Sequence, residues 1–377
     1  MRILAIETSC DETSAAIVEK LDRKPPTVIS SHIASSSELH TLIVGIIPEQ
    51  AAREQLHYMI PIVLQTLFDS QGEKCVDLLS SFSEGNKILN DSIDAIAVTL
   101  GPGLIGSLLV GVETAKTFAY TFDKPIIPVN HLLAHLYANF IGESIKLKAK
   151  NGKLNKEKLN AKRYPLDATP SFPFIGLIVS GGHTDLLYFE DHGTYKWIGG
   201  TRDDAAGEAL DKIGRVLGLP YPAGPEIEKQ ARHVTNSPIK FSRPLMHSDD
   251  FDFSFSGLKT EAARFIQKKG QFSNQEVSEV CFAIQDAVTD ILVHKTLKAA
   301  REYNCNTIVL GGGVSANDAL KEKFELNAKR HTLDAKLFFP KKKFTTDNAA
   351  MIGAYATYHY HPVDWKEIKA QPELHFI

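Results

Sequence analysis

Two histidines, His131 and His135, stand four residues apart in HLLAH. On a helix that spacing puts both imidazoles on one face, where they could share a metal ion. Histidines so spaced as often cap or pack a helix, so spacing alone is evenly balanced and a carboxylate must complete any site. Asp347, in TTDN at the start of the last helical stretch, is a candidate that spacing does not prove. A zinc protease of the H-E-x-x-H type is contradicted, because Leu132, Leu133 and Ala134 fill the interval and supply no glutamate base.

Glycine turns are the second kind of chemistry. In IGLIVSGGHTDLLYF, residues 175–189, an apolar run breaks at Ser180-Gly181-Gly182-His183-Thr184 and resumes, which reads as strand, tight turn, strand. Without Cβ atoms the turn's N–H groups can approach phosphate oxygens, and the Ser180 and Thr184 hydroxyls add donors. MRILAIETSCDETSAAIVE, residues 1–19, repeats the pattern with Asp11 and Glu12 in its turn, and a glycine turn at 311–317 leads into a helix. Two phosphate-sized hairpins and this third turn predict a duplicated α/β fold of the actin, hexokinase and Hsp70 type, with two lobes and a central nucleotide cleft. A dinucleotide fold does worse: no G-x-G-x-x-G joins a first strand to a helix, and no P-loop lysine motif is present.

The elements that would position these residues follow from composition and periodicity. At 377 residues, 43% hydrophobic and 23% charged, the chain is long enough for two cored domains. No apolar run approaches the roughly 18 residues of a membrane helix, so no membrane role is expected. The first residues already read as a strand, so any import address has been removed. Cys10, Cys75, Cys281 and Cys305 show no C-x-x-C spacing and point to a reducing compartment. A net charge of −3 leaves nucleic-acid binding to local patches.

Helical spacing is expected over 49–67 with a possible kink at Pro61, over 107–120, from Asn130 onward, over 203–217, over 281–302 and over 349–359. Strands are expected near 28–33, 93–99, 126–129 and 307–310. Residues 69–92 are polar and read as an insertion, and FDFSFSGLKT, 251–260, reads as a packed loop. The lysine-rich run 143–163 reads first as a solvated surface loop and second as an RNA contact. Asp204, Glu208 and Asp211 share a helical face, a salt-bridged stripe with Lys212 and Arg215 unless the proline-fixed loop 218–225 beside it walls a pocket.

IETSCDETSAA, GPGLIGSLLVG, HLLAH, SGGHTD, DKIGRVLGLPYPAGP, FSFSGLKT, GGGVSAN and TDNAAMIG together resemble the tRNA threonylcarbamoyladenosine transferase family, the TsaD or glycoprotease-like type. The resemblance spans nearly the whole chain and is nearest to the mitochondrial branch. It implies transfer of a threonylcarbamoyl group from threonylcarbamoyl-adenylate to the exocyclic amine of the adenosine beside the anticodon, with AMP leaving. By motif it implies that His131, His135 and Asp347 hold one divalent metal, iron or zinc. Val179, Ser180, Gly181, Gly182, His183, Asp211, Gly224, Glu228 and Asn317 would bind the adenylate. Asp11 or Glu12 is expected as base or positioning group.

Ala223 departs from the family's second glycine and is expected to tighten the pocket slightly. Also implied are tRNA as partner, a separate upstream threonylcarbamoyl-adenylate synthase, a homodimer, and the mitochondrial matrix, or the cytoplasm if the bacterial-like motifs mislead. The lobes are expected at 1–130 with 346–377 and at 131–345, the second carrying an insertion at 143–170. The alternatives are a small-molecule kinase of the same fold or a non-catalytic ATP-binding scaffold.

Overall fold

Strand β1 (Arg2–Glu7) is buried along nearly its whole length because it is central, flanked on one side by an antiparallel neighbour and on the other by a parallel one. The computed structural model describes residues 1–35, 47–142, 169–330 and 335–376. It sorts into two units, residues 1–35 with 48–170 and 348–374, and residues 36–47 with 171–347 and 375–377.

In the first unit β1, β2 (Glu12–Glu19) and β3 (Thr27–Ser35) form an antiparallel meander, and β4 (Ala95–Gly101) and β5 (Ile126–Asn130) add in parallel, giving the order β3-β2-β1-β4-β5. Helices α1 (Pro48–Ser70), α2 (Leu78–Ser92) and α3 (Ile105–Thr121) join it. Met59, Val63 and Leu67 of α1 meet Leu4, Ile6, Ile17 and Val98 in one apolar core. Helix α1 runs on through Pro61. Residues 78–92 are a helix rather than a polar insertion, and Ile88 and Leu89 belong to this core.

The second unit repeats the topology. Strands β6 (Phe174–Val179), β7 (Thr184–Phe189) and β8 (Tyr195–Gly200) form a meander, with β9 (Thr307–Gly311) and β10 (Lys336–Phe338) parallel to β6, in the order β10-β9-β6-β7-β8. Helices α5 (Ala206–Val216), α6 (Ala223–Ala231), α7 (Ser256–Lys269), α8 (Asn274–Glu302) and α9 (Asp318–Arg330) belong to it. Helix α7 begins inside the stretch expected to be a packed loop, and Leu258 is buried in the second core.

The short helix α4 (His131–Tyr137) and α10 (Ala349–Tyr358) complete the first unit. Tyr137 is buried against Tyr355 with ring centroids 5.0 Å apart, and its hydroxyl lies 2.7 Å from His359 Nε2. Residues 131–142 fall in the first unit together with α10. The lysine-rich run at 143–163 lies outside the described residues.

Candidate active site

Strand β5 ends at Asn130, whose side-chain oxygen accepts from the backbone N–H of Leu132 at 2.9 Å and of Leu133 at 3.3 Å. This cap starts α4 abruptly at His131 and fixes the phase of the helix. His131 and His135 are 6% and 1% exposed, and their Nε2 atoms lie 3.1 Å apart. Asp347 joins them, the ligand atoms of all three lying within 4.8 Å of one another. The residue after it, Asn348, caps α10 by accepting from Met351 N at 3.0 Å, and Ala349 N donates to Ser14 Oγ at 3.0 Å. The carboxylate therefore rides on a segment pinned on its C-terminal side.

These residues fit a metal ion. Two nitrogen lone pairs facing each other repel unless a proton or a cation lies between them, and two nitrogens about 2.1 Å from one tetrahedral ion sit roughly 3.4 Å apart. Two imidazoles and a carboxylate are a donor set suited to a divalent transition metal ion. Nδ1 of His131 lies 3.0 Å from Glu7 Oε2 and 3.2 Å from Ser9 Oγ. Neither Glu7 nor Ser9 was singled out from the sequence. An acidic residue closing an otherwise apolar first strand was the available signal.

In the second unit the turn after β6 closes on itself: Ser180 N donates to His183 O at 2.9 Å and His183 N to Ser180 Oγ at 3.2 Å. Ala206 N, at the start of α5, donates to Thr184 Oγ1 at 2.9 Å. Gly207 lies so close that a Cβ there would stand 2.5 Å from Ser180 O. Gly312, at φ 90°, abuts Val179 O in the same way. The turn, the start of α5 and the end of β9 are thus packed together. Among the described residues, no atom lies within 4 Å of the Cβ that a side chain would place at Gly181, Gly182 or Gly313. Neither packing nor a left-handed backbone requires glycine at these three positions.

Asp211 and Asn317 each have a structural duty. Asp211 Oδ1 accepts from Ala223 N at 2.7 Å and Gly224 N at 3.2 Å, holding the first turn of α6. Burial pushes its carboxyl above the usual range against the pull of those two N–H groups. Asp204 and Glu208 behave as the expected stripe, both 2.7 Å from Lys212. Asn317 Oδ1 accepts from Leu320 N at 2.9 Å and its Nδ2 donates to Gln285 at 2.9 Å. Glu228 Oε1 accepts from Asp318 N at 3.0 Å and from Arg232 at 2.7 Å. The Ala223 methyl is buried toward α5, where Gly214 makes room for it, so it packs between helices.

Asp11 and Glu12 are half-buried at the β1–β2 turn, and Gln55 of α1 donates to the carbonyls of Cys10 at 3.1 Å and Glu12 at 3.0 Å. The segment before α7 is held from two sides. Asp203 accepts from Ser254 Oγ at 2.6 Å, Phe255 N at 2.8 Å and Ser256 N at 3.1 Å. Lys295 of α8, fully buried, donates to Ser248 Oγ at 2.6 Å, Asp250 O at 2.8 Å and Asp250 Oδ1 at 3.2 Å.

Among solved structures, HypF from T. kodakarensis superposes with a TM-score of 0.56 at 12% identity, over 95% of this chain and 47% of that one. A full-length HypF in its phosphate- and nucleotide-bound form gives 0.51 at 11%, over 95% and 55%. The chain spans about half of each HypF chain, and the likeness shows the fold, an α/β duplication of the actin, hexokinase and Hsp70 type. The tRNA N6-adenosine threonylcarbamoyltransferase of Moorella thermoacetica is 42% identical over 376 residues, covering 99% of this chain and 96% of the relative. That of Kosmotoga olearia is 42% identical over 357 residues, covering 94% and 92%. The family profile described as TsaD, tRNA N6-adenosine threonylcarbamoyltransferase, matches residues 27–148 and 158–354, and the chain belongs to that family of transferases.

Proposed function

We propose that this tRNA N6-adenosine threonylcarbamoyltransferase takes the group from threonylcarbamoyl-adenylate and delivers it to N6 of the adenosine next to the anticodon, releasing AMP. The facing Nε2 atoms of His131 and His135, with Asp347 beside them, carry the reading. An adenine amine is a poor nucleophile because its lone pair is delocalised into the ring. The acyl carbon must be made more electrophilic, and a bound iron or zinc ion supplies that polarisation.

The remaining work falls to the chain's own groups. The Val179–His183 turn offers backbone N–H groups to the adenylate phosphate, its unpacked glycines leaving room for close approach. Asp211 and Glu228 accept from ribose hydroxyls with the oxygens that their helix contacts leave over, Gly224 lets the nucleoside come near α6, and Asn317 borders it. As the C–N bond forms and the anhydride C–O bond breaks, the amine proton passes to Asp11 or Glu12 and the electron pair leaves with AMP. A separate synthase makes the adenylate, two copies of this chain form the working unit, and the mitochondrial matrix is its compartment.

The test is transfer of labelled threonine into unmodified tRNA by this protein with a threonylcarbamoyl-adenylate synthase. Label with wild type and at least 100-fold less with His131→Ala, His135→Ala supports the reading. ATP turnover with a small phosphoryl acceptor and no label would favour a kinase of the same fold, and nucleotide binding with neither activity a scaffold.

A further inference from the structure

Three parallel strands of the first unit, β1, β4 and β5, end side by side, and each end contributes to one buried knot of polar groups. Ile6 pairs with Val98, so Glu7 and Thr99 come next to each other, and β5 leads through Asn130 into His131. Glu7 is 1% exposed and Thr99 fully buried. Burying a carboxylate is unfavourable unless its oxygens are hydrogen-bonded. Here Oε2 accepts from Thr99 Oγ1 at 2.5 Å and Oε1 from Ser9 N at 2.6 Å, with His131 Nδ1 3.0 Å from Oε2.

We propose that Glu7 is the positioning residue of the metal centre: it keeps the proton of His131 on Nδ1 and turns the Nε2 lone pair toward the ion, while Thr99 and Ser9 hold the carboxylate in place. The inference rests on reading His131, His135 and Asp347 as a metal site. A ligating imidazole that donates its other N–H to a carboxylate is fixed in tautomer and orientation and binds more strongly. The 3.0 Å contact places a Glu7 carboxylate oxygen where it accepts from an N–H on Nδ1. Thr99 donates its one hydroxyl proton and Ser9 its backbone N–H to the same carboxylate, which fixes the direction of these two bonds. The ends of adjacent parallel strands are where open α/β sheets commonly place ligands, and this knot puts a supporting shell there before any ligand arrives.

The experiment titrates the metal-free, full-length protein with Co2+, reading affinity from the visible absorption of the bound ion. Glu7→Gln, His131→Ala and the double variant are compared with wild type, together with their circular dichroism and melting. Glu7→Gln is expected to weaken Co2+ about 10- to 100-fold. In the His131→Ala background it should have no further effect, because its influence runs through that imidazole. Thr99→Val, which leaves the carboxylate but removes a donor, should weaken binding in the same His131-dependent way and serves if Glu7→Gln fails to fold. Glu7→Asp, which keeps the charge, should recover part of the loss. Wild-type affinity in Glu7→Gln, or an equal loss with and without His131, would overturn the proposal and leave the metal site standing. Unchanged affinity in His131→Ala alone would overturn the metal reading and the proposal together.

Discussion

Asp211 has one duty in the fold and a second in the proposed function, and substitutions can separate them. Asp211 uses Oδ1 to hold Ala223 N and Gly224 N, while the proposed ribose contact needs the rest of the carboxylate. Asp211→Asn keeps an acceptor for α6, so melting should move by less than the ~1 kcal/mol of a lost cap while AMP affinity falls. Asp211→Ala should lose both, and thermal unfolding paired with AMP titration separates the two. The histidine pair was legible because helical spacing and an Asn cap are local properties. Glu7 was not, because its partner His131 lies 124 residues away and only the parallel pairing of strands brings them together.

Among the elements, the loop ahead of α7 has a buried amine as one of its anchors. Lys295 donates to Ser248 and Asp250, and the hydrogen bond from Ser248, with the Lys295 contact, pulls the Asp250 carboxyl down to about 2. A group depressed in the folded state, against about 3.9 in an unfolded chain, adds stability above about pH 4 that is lost as pH falls through 2. Urea midpoints measured from pH 5 to pH 2 should therefore drop less steeply in Asp250→Asn than in wild type. Helix α2 shows why some elements were illegible. Its inward face carries Ser81, Gly85, Ile88 and Leu89, and a Cβ on Gly85 would stand 2.4 Å from Leu64 Cδ2. Close helix packing used small residues there, which erased the apolar periodicity that a sequence reading depends on.

For the whole molecule, the duplication was readable because each copy repeats apolar run, turn, apolar run, whereas β8 and the three-residue β10 were not among the expected strands. The pairing of α4 with α10 was not readable, since they meet through aromatic contacts between distant segments. Net charge of −3 makes tRNA affinity a matter of patches, and Lys341, Lys342 and Lys343 are exposed on a turn anchored by buried Phe344, close ahead of Asp347. Lys342→Ala with Lys343→Ala should weaken tRNA binding and reduce its logarithmic salt slope by about 2, with Co2+ affinity unchanged. Filter binding across a salt series measures it. The open space at Gly181 and Gly182 also bears on how natural variants of this chain should be judged. Alanine at Gly181 meets nothing in the folded unit, so its melting curve should match wild type within error while adenylate binding is lost. A survey that ranks variants by expression or heat resistance would pass it as benign, and only a tRNA-modification readout would find the defect.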